Sequence, residues 1–316
     1  MKHIMAVFWG AASYGILSTF VVLAYDRGFQ LGEVVGAQLF FGLVLITCLV
    51  LAKQWKEKKK NKLQSQQAIT IRENDEHVRL DGKKAMLLMV AGIPQAATGL
   101  LYYHTLKYVP ASLAIILLFQ FVWISVLIQS IRQRKWPQAM VLVSLAVVIV
   151  GTVFAAGILE DSFANISMIG IGFGLLAAVS YTLFLLISGN VYPKANPVYR
   201  SFWMIAGAFI TLSIIYPPTF LFNGRLFSEL ALFGLILGCF GAFIPPLLFA
   251  YGIPKIGEGA AGILGAVELP VAVFMSMLVL KEEVGILKWM GVILVLIGIV
   301  IPELTRKKRS PIPKTR

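Results

Sequence analysis

The sequence predicts an all-α polytopic membrane protein, with ten transmembrane helices arranged as two inverted five-helix repeats. Three observations carry that expectation. Of the 316 residues, 58% are hydrophobic and only 14% charged, with a mean hydropathy of +0.82; a soluble chain has about a quarter of its residues charged. The apolar residues fall in blocks close to the roughly 20 that a helix needs to cross a hydrocarbon core about 30 Å thick. The second half of the chain also repeats the first, faintly, at an offset of 148 residues.

The ten blocks run over 4–25, 33–52, 85–104, 110–131, 138–156, 167–188, 198–216, 230–251, 257–280 and 285–303. The first follows Lys2 and His3 as a signal peptide's apolar stretch would. It is longer than such a stretch and shows no small-x-small cleavage site before Asp26, so it reads as an uncleaved span. Block two runs into "KQWKEKKKNK", which opens the one long loop, 53–84. The second part of that loop mixes both charge signs with few bulky apolar residues and reads as a solvated loop or a partner-docking segment. His77 in it is assigned no role. Cys48 and Cys239 lie in separate apolar blocks and read as buried free thiols. Pro94, Pro245-Pro246 and Pro270 stand inside blocks three, eight and nine. Each removes a backbone hydrogen bond and bends or opens its helix there.

The net charge of +13 points to topology rather than to nucleic acid. With the N-terminus cytoplasmic, the inside segments are 1–3, 53–84, 132–137, 189–200, 252–256 and 304–316, and they hold 23 of the 28 Lys and Arg. That asymmetry places both termini inside a cytoplasmic membrane. Clusters such as "RKKR" (306–309) are also suited to anionic headgroups.

The repeat is carried by "YHTLKYVPASLAIILLFQFV" (103–122) against "YGIPKIGEGAAGILGAVELP" (251–270), which sets Gln120 on Glu268. "VVIVGTVF" (147–154) follows "LVLIGIVI" (294–301) after a one-residue shift, and "AASY" (11–14) matches "AVSY" (178–181), pairing Tyr14 with Tyr181. The domains are then 1–156, a first five-helix repeat that includes loop 53–84; 167–303, a second and inverted one; and a basic tail, 304–316. Five helices per copy turn the second copy over. The connection "RQRKWP" is basic, whereas its repeat partner "KEEVG" is net acidic, as opposite sides of a membrane require.

Ten helices in two inverted halves resemble the drug/metabolite transporter superfamily, specifically its EamA-type members. The resemblance rests on "WG" (Trp9-Gly10), "AVSY", "ELPVAVFMSMLVLKEE" (268–283) and "GVILVLIGIVI" (291–301). It implies fold and transport class, not substrate. Two departures stand out. Gln38 replaces the basic residue often seen in the family's second helix, and Val122 stands where helix four would match Pro270.

Glu268 is the charged residue most deeply placed in a span. Steps of three and four residues set it on a stripe with Ala261, Gly265 and Ala272, small neighbours that leave room for close helices or a cavity. Charged side chains at such depth face the bundle interior and mark substrate or ion paths. No Lys or Arg stands inside any span at comparable depth; His104 lies toward the outer end of helix three. An acid so placed suits exchange of a proton for a cationic or zwitterionic solute; the bland alternative is a neutral carboxyl that fixes helix packing. Gln120, its repeat partner, could contact substrate or join two helices. Tyr14 and Tyr181 could form aromatic walls of a cavity. Tyr103, Trp9 and Gln95 complete the candidate substrate or proton site, with Tyr102 and Trp123 as weaker candidates; each has packing as its alternative.

The chain shows no GxxxxGK[ST], HExxH, CxxC or Ser nucleophile elbow, so no cofactor, catalytic or metal residues are assigned. The expected activity is a secondary-active transporter, an exporter of small organic solutes such as amino acids, metabolites or drugs, working by alternating access and coupled to protons. A non-transporting membrane scaffold or sensor, or an integral-membrane enzyme, is the alternative. The expected partners are the lipid bilayer, a small-molecule substrate and protons, with no nucleic acid; a homodimer is left open.

Overall fold

The computed structural model describes residues 1–66, 82–109, 111–155, 167–281 and 284–308. All regular structure among them is helical. Eight stretches are long and apolar enough to cross a membrane, and two shorter apolar helices, Ala139–Ala155 and Ile286–Pro302, accompany them. This is a multi-pass membrane protein. Its outer surface is accordingly apolar, with Ile131, Ile214, Leu232 and Ile286 exposed.

The first stretch is two helices, α1 (Lys2–Tyr14) and α2 (Leu17–Asp26), separated at Gly15–Ile16. Next, α3 (Leu31–Gln66) begins where Glu33 reaches back to accept from the Gln30 N–H at 3.0 Å, the reciprocal half of a capping box. It does not stop at residue 52. The segment expected as loop from 53 is helical through Gln66, because Lys and Glu are good helix formers and Lys53–Glu57 pair at i,i+4. The docking or loop role assigned to the rest of 53–84 falls largely outside the described residues, as does the tail beyond 308.

The third stretch divides at Ala91-Gly92 into α4 (Gly82–Val90) and α5 (Ile93–Thr105), and the fourth divides at Gln120 into α6 (Ala111–Phe119) and α7 (Phe121–Gln133). Then come α8 (Ala139–Ala155), α9 (Met168–Asn190) and α10 (Pro197–Ile215). The last of these starts from an Asn196 cap with Pro197 in its first turn. In the next stretch, α11 (Leu230–Leu237) passes through a π-helical segment, Gly238–Phe243, into α12 (Ile244–Ile256). Pro245 and Pro246 offer no N–H to the carbonyls four residues back, and the wider turn absorbs that loss. The ninth stretch is α13 (Glu258–Gly265) and α14 (Glu268–Met275), followed by a π segment, Ser276–Leu280; the last helix is α15 (Ile286–Lys308).

Helices of the first half pack on helices of the second: α1 on α12, α3 on α10 and α11, α5 on α9, α7 on α13, and α8 on α15. Small residues make the approaches possible. A methyl at Gly92 would overlap the Met204 carbonyl, one at Gly207 the Met89 carbonyl, and one at Gly291 the Ala155 amide. In the same α8–α15 contact, Ser144 Oγ donates to the Gly298 carbonyl at 2.7 Å. Buried threonines such as Thr105 and Thr182 return their hydroxyls to the carbonyl four residues back, which lets them sit in apolar surroundings.

Two expectations are corrected by this packing. Cys48 is exposed and Cys239 half-buried, both as free thiols; in a membrane an apolar span turns one face to lipid, so an apolar block does not imply a buried residue. Arg200, counted above with the inside loop residues, is fully buried in the first turn of α10.

Candidate functional site

Five of the apolar stretches lose α-helical regularity near their middles, and three of the interruptions meet around one cavity. At Gly15, backbone follows backbone closely: an added Cβ would overlap the Glu268 carbonyl and press on Val271. Pro270 explains the partner break. It has no N–H for the Ala266 carbonyl, which instead accepts from Leu269 N at 3.2 Å, and α13 ends before α14 begins. Glu268 is therefore the first residue of α14 rather than one rung of a continuous helix. The stripe expected through Ala261, Gly265, Glu268 and Ala272 is divided at that point, although all three small residues remain buried. The third break, at Ala91-Gly92, sets Gln95 in the first turn of α5.

The cavity encloses about 100 Å³ and takes its wall from both halves of the chain. Glu268, Tyr14, Tyr181, Tyr103 and Gln95 all line it. Tyr102, Gln38, Ser18 and Thr98 add further polar groups, and Phe119 and Phe184 add apolar ones. Tyr14 and Tyr181 meet edge to face at 5.9 Å between centroids, as do Phe121 and Tyr181 at 4.5 Å. Among the described residues Glu268 is the one charged group in this wall, and among them it has no hydrogen bond or ion pair. The phenols of Tyr14, Tyr102, Tyr103 and Tyr181 line the same wall. Both amide atoms of Gln95 and the hydroxyl of Tyr181 are likewise buried without partners.

Gln120 and Trp9 do not line this cavity. Gln120 sits at the α6–α7 break, where its Nε2 donates to the Ile116 carbonyl at 2.9 Å and its Oε1 accepts from Trp123 Nε1 at 2.7 Å. Trp9 stands on the outer surface, 59% exposed. Gln38 was noted in the sequence only as a departure, yet it lines the cavity and its Oε1 accepts from the Tyr103 hydroxyl at 3.4 Å. A polar residue in a block otherwise free of charge from Val34 to Ala52 was the available signal.

Polar clusters mark the two ends of the bundle. At one end Arg132 donates to Glu258 at 2.6 Å and to Asn190 Oδ1 at 2.9 Å, and Gln129 Oε1 accepts from the Gly259 amide at 2.6 Å. At the other, Arg225 grips both oxygens of Glu33 at 2.7 and 2.8 Å, and Arg27 pairs with Glu229. A second cavity of about 550 Å³ opens beside Glu33 and shares Tyr103 with the central one. A third, of about 620 Å³, lies beside Gln129 and Gly259 and shares no lining residue with the centre. Among the described residues no group of three or more His, Cys, Asp or Glu is placed to hold a metal.

Comparison with known proteins gives three findings. Residues 168–302, the second half of the chain, match the EamA-like transporter family, part of the drug/metabolite transporter superfamily. No curated protein matches the chain by sequence. A solved structure described only as the crystal structure of a protein superimposes with a TM-score of 0.69 at 15% identity, over 95% of this chain and 99% of the other; it speaks to fold alone. The match to a family of transporters covers the second half of the chain, and the helices are those of a multi-pass membrane protein.

Proposed function

We propose that the chain is a secondary-active carrier of the cell membrane that exports a small organic solute (an amino acid, a related metabolite or a drug) by alternating access. The observation that carries this reading is the unpaired Glu268 in the wall of a central cavity built by both halves of the chain. An acid kept at membrane depth without a cation is a functional group by default, and Glu268 is the residue we assign to proton exchange or cargo contact. The titratable groups facing it are the four phenols; no Lys, Arg or His lines the same cavity.

Alternating access needs two halves that rock. Ten helices in two inverted repeats would supply them, and several features support that arrangement. The breaks at Gln120 and at Ala266-Val267 fall within two residues of one another at the offset of 148. The stretch 147–154 and the helix that carries its repeat counterpart, 294–301, pack closely, with Gly151 of α8 against Val295 and Gly291 of α15. In this conformation the centre and the Glu33 cavity have Tyr103 in common, whereas the cavity beside Gln129 and Gly259 shares no lining residue with the centre, which supports closure toward the Arg132 cluster. With both termini cytoplasmic, the Glu33 end is extracellular and the Arg132 end is the closed inner side. A homodimer is compatible with the apolar outer surface.

The test is uptake and efflux of a solute panel in proteoliposomes, with and without a pH gradient. A carrier moves at least one solute saturably, and the gradient drives it. Glu268→Gln is expected to abolish the gradient's effect, because the amide cannot release a proton; pH-driven transport retained by that variant would refute proton coupling through Glu268.

A further inference from the structure

Resting on the carrier reading, we propose that the central cavity is a site for a compact organic monocation, an aliphatic or aryl-alkyl ammonium whose charged head lies against Glu268 and inside the ring of Tyr14, Tyr102, Tyr103 and Tyr181.

The charge balance of the wall points one way. Among the described residues it holds one carboxylate and no cation, so an ammonium completes an ion pair that these residues leave open. An anion meets uncompensated like charge there, and a zwitterion brings a carboxylate for which no Arg, Lys or His is present. Helix N-termini could in principle receive that carboxylate, but two of the amides there are turned to the chain's own carbonyls. Gln95 N donates to the Gly92 carbonyl at 3.1 Å and Leu269 N to the Ala266 carbonyl at 3.2 Å.

The aromatic groups agree with the charge. Four tyrosines line the same wall as the carboxylate, and aromatic rings attract a cation. Their hydroxyls, together with the unpartnered Gln95 amide, can take the N–H donors of an ammonium. The cavity of about 100 Å³ limits the body of the ligand to something small. Phe119 and Phe184 provide an apolar wall for that body. Because Glu268 is the single anionic group, a proton and the organic cation compete for it. That competition is the stoichiometric basis of exchange: one proton leaves the carboxyl when one monocation binds.

The experiment uses three probes of one shape and different charge: phenethylamine, phenylalanine and 3-phenylpropionate. Binding to the detergent-purified full chain is read by calorimetry and movement by counterflow in proteoliposomes. The expected result is phenethylamine bound at least about tenfold more tightly than either other probe, the ratio that one charge-assisted contact supplies. Glu268→Gln should remove that preference, and Tyr14→Leu should weaken amine binding while 3-phenylpropionate stays unbound. Equal or tighter binding of phenylalanine or 3-phenylpropionate overturns the cation site; if that probe also shows counterflow, the carrier reading stands without it. No binding of any probe overturns the cation site, as does an amine preference that survives in Glu268→Gln. Selective amine binding without counterflow keeps the cation site and overturns the carrier reading. The three-probe comparison on the unaltered protein decides the matter even if a variant does not fold.

Discussion

The guanidinium of Arg200 donates to the carbonyl of Ala250 at 2.9 Å, and that carbonyl is the one left without a helical partner by Pro254. Its other arm donates at 2.7 Å to the Ser188 carbonyl in the last turn of α9. Arg200 is fully buried, and among the described residues no carboxylate pairs with it. Its charge rests instead on the carbonyls at the C-terminal parts of two helices, where the backbone dipole is negative. The residue therefore ties α9, α10 and α12 together.

Replacing Arg200 with Met should leave both carbonyls buried and unpaired, at a cost of about 1–3 kcal/mol for each. A fall in the thermal unfolding midpoint in detergent reads that cost. Pro254→Ala supplies the missing N–H to Ala250, so in the Arg200→Met background it should recover part of the loss, whereas alone it should gain little. Strict additivity of the two changes in a double-mutant cycle would show that the guanidinium and the proline act independently.

The Arg132–Glu258–Asn190 cluster joins the ends of α7, α9 and α13. Glu258 is 7% exposed, so Arg132→Ala strands a nearly buried carboxylate, which should favour a conformation that hydrates it. Half-exposure of Arg132 keeps the effect modest, on the order of 1–2 kcal/mol, or about tenfold in the population open at this end. A single cysteine at Ser125, which is fully buried against Gly262, reports it. With Cys48 and Cys239 replaced, Ser125→Cys should resist a water-soluble maleimide in the parent and react faster once Arg132 is changed. An unchanged labelling rate would mean that the cluster does not hold this end shut.

Much of this was legible in the amino-acid order, and the failures share a physical cause. Hydropathy averages over a window, so it located the apolar stretches, eight of them long enough to span, and exposed Glu268 as the one acid well inside such a stretch. It is blind to phase. Gln120 aligns with Glu268 in the repeat, but the irregular turn at Gln120 gives its amide to Trp123 and Ile116 instead of to the cavity. A single residue of phase turns a helical side chain by about 100°. Arg200 was placed in a loop because it stands near a block's edge. Only the folded chain shows the two carbonyls, 12 and 50 residues away, that make its burial tolerable. The same blindness hid Gln38, whose meaning depends on Tyr103, 65 residues on.

Two glycines should respond oppositely to a single methyl group. Gly15→Ala would press a Cβ into the Glu268 carbonyl and Val271, so the α1–α2 break must move away from α14. Overpacking of this kind costs about 1–3 kcal/mol, and because it displaces Glu268 it should also reduce transport. Gly172→Ala in α9 meets nothing within 4 Å and removes a helix-weakening glycine, for a gain of about 0.5–1 kcal/mol. Unfolding midpoints moving in the same direction for the two variants would contradict the close approach at Gly15.

Tyr103 stands where the central cavity and the Glu33 cavity adjoin, its ring edge to face with Tyr25 at 6.4 Å and its hydroxyl directed to Gln38. A side chain in that position separates the two spaces while it stays in place and joins them when it swings. Tyr103→Ala removes the partition without touching Glu268, so the central cavity should become continuously reachable from the Glu33 end. Ser18→Cys, in the wall of the central cavity, measures this directly in the cysteine-free background: maleimide labelling should be slow with Tyr103 present and at least about tenfold faster in Tyr103→Ala, the factor expected from an opening equilibrium shifted by about 1.4 kcal/mol. Tyr103→Phe keeps the ring and loses only the long hydrogen bond, so it should label nearly as slowly as the parent. Equal acceleration by Phe and Ala would assign the barrier to the hydroxyl rather than to the ring, and no acceleration by Ala would mean that the closure lies elsewhere along α5.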